Sequence, residues 1–445
     1  MHISSATAIL GAVLVPVLAA ATNHFTGTRF PNIAAQTQLD ISSTCEWPGH
    51  CRGASCSSGD DCSDILVCVN RRCDDEPTAT FQERFRVNDT LNFIPVAYDP
   101  EDSLFYDALV DPELRGVTFR QRNVGPPSRV NWISRANATS RYRSAFLVGS
   151  PGGDLYEIGT SGGAADDRIA FARRYSRKDG SRKYSFSPGK SDCPFPERTA
   201  GAVHRSGDLF IAVTCLLHDD FLDDPRNTLR IYRLSNSGSV EWSKEVKNVY
   251  GGVVAATLDP SERRFFVTWS RIRRVPDGDE LDAFIALYRA SSGSRVAGPL
   301  QLEGIRSVSE SVAVDDKELI ISANSGSAIS HLLRITVERR KVRTRWAVDV
   351  ALPNIRLDIP TDKDSDLLFL CGGGNGGDAV LQARELGDGG LTAEEGIDLQ
   401  RTDFSSDPCR FIQAEDDDRV AVGVYAGAIA NPIDSTLFGF DLETL

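Results

Sequence analysis

The feature that most constrains this chain is a recurrence of short paired apolar runs, spaced about 52 residues apart. The leading runs are SAFLVGS, DLFIAVTCL, RRFFVTWS, KELIISANS, DLLFLCGG and RVAVGVYAG. Each is followed by a partner: DLYEIG, TLRIYRL, AFIALYRA, HLLRITV, AVLQARE and TLFGFDL. Gly, Asp, Asn and Ser clusters separate them, as turns separate strands. The first apolar residues of the later partners, Leu229, Phe284, Leu332, Val380 and Leu437, lie 55, 48, 48 and 57 residues apart. Trp132, Trp242 and Trp346 lie 110 and 104 apart, near twice that step. Long amphipathic helical patterns are scarce.

A unit of that length holds one four-stranded sheet, and radial stacking of such sheets makes a β-propeller. The span from Phe81 to Leu445 accommodates about seven four-stranded blades. Their third strands are expected near Val117, Leu155, Leu229, Phe284, Leu332, Val380 and Leu437. The chain stops after the last of these, so that blade lacks an outer strand. FQERFRV, Phe81 to Val87, is expected to supply it and cover the bare edge. The fold class is therefore all-β: a β-propeller over 81–445, preceded by a small disulfide-rich module.

The repeats GGDLYEIGTSGG, TLRIYRLSNSGSVEW and TLFGFDLETL resemble those of quinoprotein-type (PQQ-like) propellers. In that family a strand ending Leu-Tyr-x-Leu-Asp leads through a Gly turn into a strand carrying Trp. The resemblance covers most of 93–445 and bears on fold more than on function. It implies a quinone held under an adjacent Cys-Cys disulfide, with Ca2+ bound by Glu, Asn and Asp. This chain has no adjacent Cys pair, so those cofactor residues transfer to no position.

Residues 1–21 contain no Asp, Glu, Lys or Arg and end in Ala19-Ala20-Ala21. The apolar stretch is shorter than the roughly 20 residues of a membrane span and reads as a cleaved signal peptide. Residues 22–44 read as a flexible tether. Cys45, Cys51, Cys56, Cys62, Cys68 and Cys73 form a compact segment, 45–73, too short to fold on an apolar core alone. Three disulfides would hold it, in any of 15 pairings. Its spacing resembles small extracellular knots of the colipase and Dickkopf type. Residues 74–80 form a linker. Cys193 with Cys215, and Cys371 with Cys409, are expected to pair by proximity. Asn88 and Asn137 head N-x-Thr sequons and are candidate glycosylation sites. Together these features place the protein outside the cell.

The formal net charge of −13 disfavours nucleic acid and anionic membranes as partners. Candidate catalytic motifs dissolve in context. GTSGG, centred on Ser161, follows a strand but lacks the βα framework of a nucleophile elbow, and reads as a turn. A helix over AADDRIAFARRY is the feature that elbow would need. GGGNGG, with Gly372, Gly374 and Gly377 and Glu394 downstream, matches a dinucleotide fingerprint without its βαβ unit, and reads as a hairpin. The run Arg168–Lys190 carries eight Lys or Arg. It reads as a long solvated turn, or as a contact for an acidic polymer.

The turns before the third strands are the most suggestive set. They place Asp223, Asp224, Asn227, Asp279, Asp282, His331, Asp378 and Asp434 on one face of a propeller. Convergent carboxylates there suit Ca2+, or a basic or sugar partner. The plain alternative is that Asp and Asn favour turns for local hydrogen bonding. Asp224, Asn227, Asp282, His331, Asp378 and Asp434 are the candidate ligand-binding residues. No cofactor is expected, with Ca2+ the one ion the turns could take, and no catalytic residue is assigned. Two functions fit: a secreted protein that binds an extracellular glycan, peptide or surface, and an extracellular metal-dependent hydrolase or lyase using carboxylates at the channel mouth.

Overall fold

The structure is a computed structural model. It describes residues 66–69, 72–75, 81–87 and, with gaps at several loops, 92–441. Residues 1–21 and 22–44, expected to be a signal peptide and a tether, and Cys45, Cys51, Cys56 and Cys62 lie outside the described residues. A small ribbon, β1 (Leu66–Val69) with β2 (Arg72–Asp75), places Cys68 and Cys73 directly opposite each other.

The remaining strands form four-stranded antiparallel sheets. β3 (Phe81–Val87) comes first in the chain and joins the last sheet. The first blade is β4 (Asn92–Asp99), β5 (Leu104–Asp111), β6 (Gly116–Asn123) and β7 (Val130–Asn137). The second is β8 (Arg143–Val148), β9 (Leu155–Ser161), β10 (Ile169–Tyr175) and β11 (Arg182–Phe186). The third is β12 (Phe195–Val203), β13 (Leu209–Leu216), β14 (Thr228–Leu234) and β15 (Val240–Lys247). The fourth is β16 (Tyr250–Leu258), β17 (Arg264–Val275), β18 (Gly278–Arg289) and β19 (Arg295–Leu302). The fifth is β20 (Val308–Ala313), β21 (Glu318–Asn324), β22 (Ser330–Val337) and β23 (Val342–Val350). The sixth is β24 (Arg356–Asp358), β25 (Leu367–Gly373), β26 (Ala379–Glu385) and β27 (Leu391–Ile397).

These six blades each use four consecutive strands. The composite sheet combines β28 (Cys409–Ala414), β29 (Arg419–Ala428) and β30 (Asn431–Asp441) with β3 at its outer edge. β3 runs antiparallel to β30 from Phe81 opposite Gly439 to Val87 opposite Ile433. The N-terminal strand thus completes the last sheet, as its sequence position suggested.

Successive sheets pack face to face, and the first strand of each touches the first strand of the next. β28 touches β4, so the ring closes. A buried apolar cluster fills each seam. Phe119, Leu155 and Tyr175 sit between the first two blades, Phe210, Phe265 and Trp269 between the third and fourth, and Phe369, Leu381 and Val422 between the sixth blade and the composite sheet. The smallest described cluster, Tyr98, Phe105 and Ala421, lies where the composite sheet meets the first blade.

Because second strands lie between two neighbours, they are buried on both faces. β9 and β13 are buried along their whole lengths. Outer strands meet water and read as charged alternations, as in β15, VEWSKEVK. A continuous apolar run is what double-sided burial demands.

The outer rim carries a repeated latch. Trp132 Nε1 donates to Arg177 O at 2.8 Å, Trp242 Nε1 to Ala290 O at 2.9 Å, and Trp346 Nε1 to Leu386 O at 2.9 Å. Each acceptor lies at the turn between third and fourth strands of the next blade. Across the strand from each aromatic stands a polar partner aimed at the same turn. Gln121 bonds Arg177 O at 3.0 Å, Arg233 bonds Ser291 O at 3.0 Å, and Arg334 bonds Leu386 O at 2.7 Å. Arg174, opposite Tyr184, bonds Asn236 O. Gly293, at φ +63°, lies against Trp242 so closely that a Cβ there would stand 2.6 Å from the indole.

Three sequence expectations are corrected. Leu155 begins the second strand of its blade, not the third; the third strand is β10. The basic run Arg168–Lys190 is not a long solvated turn, since it contains β10 and β11 with a tight turn between. Its buried stretch Ala170, Phe171, Ala172 and Tyr175 was hidden by Arg173 and Arg174, which interrupt it. Among the described residues no helix follows Ser161: Gly159–Ser161 belongs to β9, and IAFARRY pairs antiparallel to it. The hairpin reading of GGGNGG is met, with Gly372 and Gly373 ending β25, which pairs antiparallel with β26. Both described disulfides match their expected pairings. Cys193–Cys215 ties the segment entering the third blade to its second strand, and Cys371–Cys409 ties the sixth blade to the composite sheet.

Candidate functional site

Turns between second and third strands emerge on one face of the ring, so the sequence-predicted residues share that face. The structure gives each described one a local partner. Asp224 accepts from the Arg226 amide at 2.8 Å and from its guanidinium at 2.8 Å. Those hydrogen bonds hold its carboxyl down at about 2. Arg226 also meets His218 Nε2 at 3.2 Å. Asn227 is buried: its Oδ1 accepts from the Leu217 amide at 2.9 Å and its Nδ2 donates to Leu222 O at 3.1 Å. Asn227 therefore shapes the turn. Asp282 stands 3.2 Å from Arg273 Nε, while Arg273 Nη2 holds Glu280 at 2.5 Å. His331 Nδ1 pairs with Asp349 across β22 and β23. Asp223 and Asp378 lie outside the described residues. Asp279 and Asp434 are placed only as backbone positions in β18 and β30. Among the described residues, no cluster of His, Cys, Asp or Glu is arranged to hold a metal.

One hairpin stands out on this face. β17 and β18 run 12 residues each, and β16 pairs only as far as Ser270 while β19 pairs only as far as Ala283. Residues 271–275 and 278–282 thus project as a two-stranded ribbon. At its base Trp269 and Phe284 stack at 6.2 Å, with the Arg271 guanidinium 4.6 Å above the Phe284 ring. Such a cation over an aromatic face is worth roughly 0.5–1 kcal/mol when exposed.

A second polar group lies at the inner strands. Arg356 on β24 donates to Glu310 on β20 at 3.0 Å. Asp358, two residues on, accepts from the Ala414 amide of β28 at 2.8 Å. Burial pushes the Asp358 carboxyl up to about 7 against the backbone hydrogen bonds of Ala414 and Ile359, and the Glu310 charge adds to the rise. Carboxyls from neighbouring blades thus feel each other's charge at the inner strands. Another carboxyl, the buried Glu157 between the first two blades, is raised to about 7 by burial, despite Arg173 at 3.2 Å and the Tyr175 hydroxyl at 2.9 Å. Sequence reading missed all three, because each sits singly in a strand and meets its partners only across strands or blades.

No protein-family model matches the chain. Among curated proteins it resembles endo-chitosanase C of Aspergillus oryzae, 58% identical over 38 residues, which is 8% of this chain and 10% of that enzyme. A second Aspergillus oryzae endo-chitosanase C matches at 59% over 43 residues. The chain thus spans about a tenth of the curated relatives it matches. Among solved structures it resembles Sqt1 of Saccharomyces cerevisiae, with a TM-score of 0.46 and 8% identity, covering 80% of this chain and 97% of that one. It also resembles the WD40 domain of SCAP from fission yeast, with a TM-score of 0.41 and 9% identity, covering 80% and 83%. The propeller assignment rests on the closed ring of sheets itself. Among the described residues, no helix is long and apolar enough to cross a membrane.

Proposed function

We propose that this chain is a secreted propeller that binds an extracellular glycan through the face carrying its second-to-third-strand turns. The observation that carries this reading is the rim's local pairing. Asp224 with Arg226, Asp282 with Arg273, and His331 with Asp349 form a charge pattern fixed before any ligand arrives. A preformed polar surface on a rigid ring lowers the ordering cost of association. The leader-like residues 1–21, the two described disulfides and the sequons at Asn88 and Asn137 support an extracellular setting. The short stretch shared with endo-chitosanases supports a polysaccharide as the partner class. The three indole latches support the quinoprotein-type repeat as a relation of scaffold.

Asp224, Asp282, His331, Asp378 and Asp434 are the proposed contact positions, the buried Asn227 holding its turn in shape beneath them, and the reading needs no cofactor. Binding of the intact chain to immobilised extracellular polysaccharides tests it. The double variant Asp282→Asn, His331→Ala is expected to weaken retention at an unchanged melting temperature. Equal retention of variant and parent would contradict the assignment of the face.

The second reading, an extracellular hydrolase or lyase, is favoured by one observation. The Asp358 carboxyl, raised to about 7 by burial with the Glu310 charge adding to the rise, is an acid able to hold a proton near neutrality, as acid–base chemistry requires. It predicts slow turnover of a glycan that Asp358→Asn abolishes.

A further inference from the structure

The basic run read from sequence as a solvated turn or an acidic-polymer contact forms one wall of an open groove between the first two blades, on the opposite face from the rim. The groove has a volume of about 750 Å3, within the roughly 300–1,000 Å3 of small-molecule sites. Its second-blade wall is Asp154, Ser176, Arg177, Lys178 and Lys183, and its first-blade wall includes Gln121, Asn123 and Asn131.

Most of the charge here is already engaged. Lys183 Nζ stands 2.7 Å from Asp154, which also takes Arg174 at 2.6 Å and the Arg177 amide at 3.0 Å. Burial works against the Asp154 carboxylate, but hydrogen bonds from Lys183, Arg177 and Arg174 outweigh it and hold it below its ordinary range. Arg177 pairs with Asp102 and approaches Asp99 at 3.7 Å. Asp179 is turned back onto its own turn by Ser181. Lys178 is exposed, and its ammonium has no ion-pair partner among the described residues.

The amides complete the pattern. Asn131 Nδ2 donates to both Gln121 Oε1 at 3.1 Å and Asn123 Oδ1 at 2.8 Å. That leaves Asn131 Oδ1 as an acceptor and Asn123 Nδ2 as a donor toward the groove. Paired donor and acceptor positions match hydroxyl groups, which do both. The Trp132 latch to Arg177 O and the Gln121 bond to the same carbonyl lock the two walls together, so the groove is preformed.

We propose that this groove binds an acidic saccharide unit, its hydroxyls at Asn123 and Asn131 and its carboxylate at Lys178. The proposal rests on the glycan-binding reading and names for it a second site and a substrate class. It gives a local cation a purpose on a chain of net charge −13.

Calorimetric titration of the intact chain with oligogalacturonate, and with a neutral gluco-oligosaccharide of equal length, tests it. Saturable oligogalacturonate binding is expected, stronger than that of the neutral chain. Lys178→Glu is expected to weaken it at least about tenfold at an unchanged melting temperature, and Asn131→Ala to weaken both sugars. Equal affinity of the parent and Lys178→Glu overturns the proposal. So does absence of oligogalacturonate binding, and retention of other polysaccharides by the same sample would then show that the broader glycan reading survives. No retention of any glycan overturns both.

Discussion

At the residue scale, two features convert directly into measurements. Gly293 combines a positive φ with an indole 2.6 Å from any added Cβ, whereas Gly304, at φ +75°, has nothing within 4 Å. Gly293→Ala therefore carries backbone strain and a clash, and is expected to cost about 2–4 kcal/mol in urea denaturation. Gly304→Ala carries the backbone term alone, about 1 kcal/mol. Equal costs would remove the latch from the account. Asp358 gives a pH test. Its folded value of about 7 lies above the ordinary 3.8, so between these values the folded state holds a proton that the unfolded chain has lost. Its contribution is fully present below about pH 4, declines as pH rises to about 7, and is flat above. Comparing urea midpoints at about pH 4 and about pH 8, Asp358→Asn is expected to show a smaller decline than the parent. Identical declines would mean that the carboxyl titrates normally.

At the scale of elements, the ring has one seam unlike the others. Between the composite sheet and the first blade the described apolar cluster is the smallest, and the strand pairing of β3 with β30 takes on the task of closure. Deleting residues 81–87 is expected to lower the melting temperature by several degrees and to raise amide exchange in β28–β30 first. An unchanged melting temperature would contradict the closure. Replacing Cys371 and Cys409 together by Ala is expected to cost about 2–4 kcal/mol, since that bridge ties the neighbouring seam. These elements differ in how legible they were. Second strands such as LFIAVTCL are buried on both faces and announce themselves as apolar runs, and Trp132, Trp242 and Trp346 marked alternate outer strands. β10 did not announce itself, because Arg173 and Arg174 interrupt its pattern. Arg174 is held by Asp154 and a neighbouring carbonyl, and Arg173 by Glu157. A buried arginine reads as a surface one until its acid is brought beside it. The rim was legible as a set of turns, but its ion pairs were not: Asp282 meets Arg273 only because two 12-residue strands run in register.

At the scale of the whole molecule, the ring sets two polar faces on a rigid frame. One face carries the paired rim and the projecting hairpin, the other the groove between the first two blades. Asp224 and Asp282 already hold arginines, so added Ca2+ is expected to leave the melting temperature unchanged, whereas a rise with Ca2+ concentration would show a metal site at the rim. The central claim is recognition without turnover. Its most direct measurement is incubation of the intact, disulfide-bonded chain with extracellular oligosaccharides, reading bound fraction and product size together. The account predicts saturable binding with the oligosaccharide recovered at its original length. Progressive shortening by the parent chain, lost in Asp358→Asn, would contradict it.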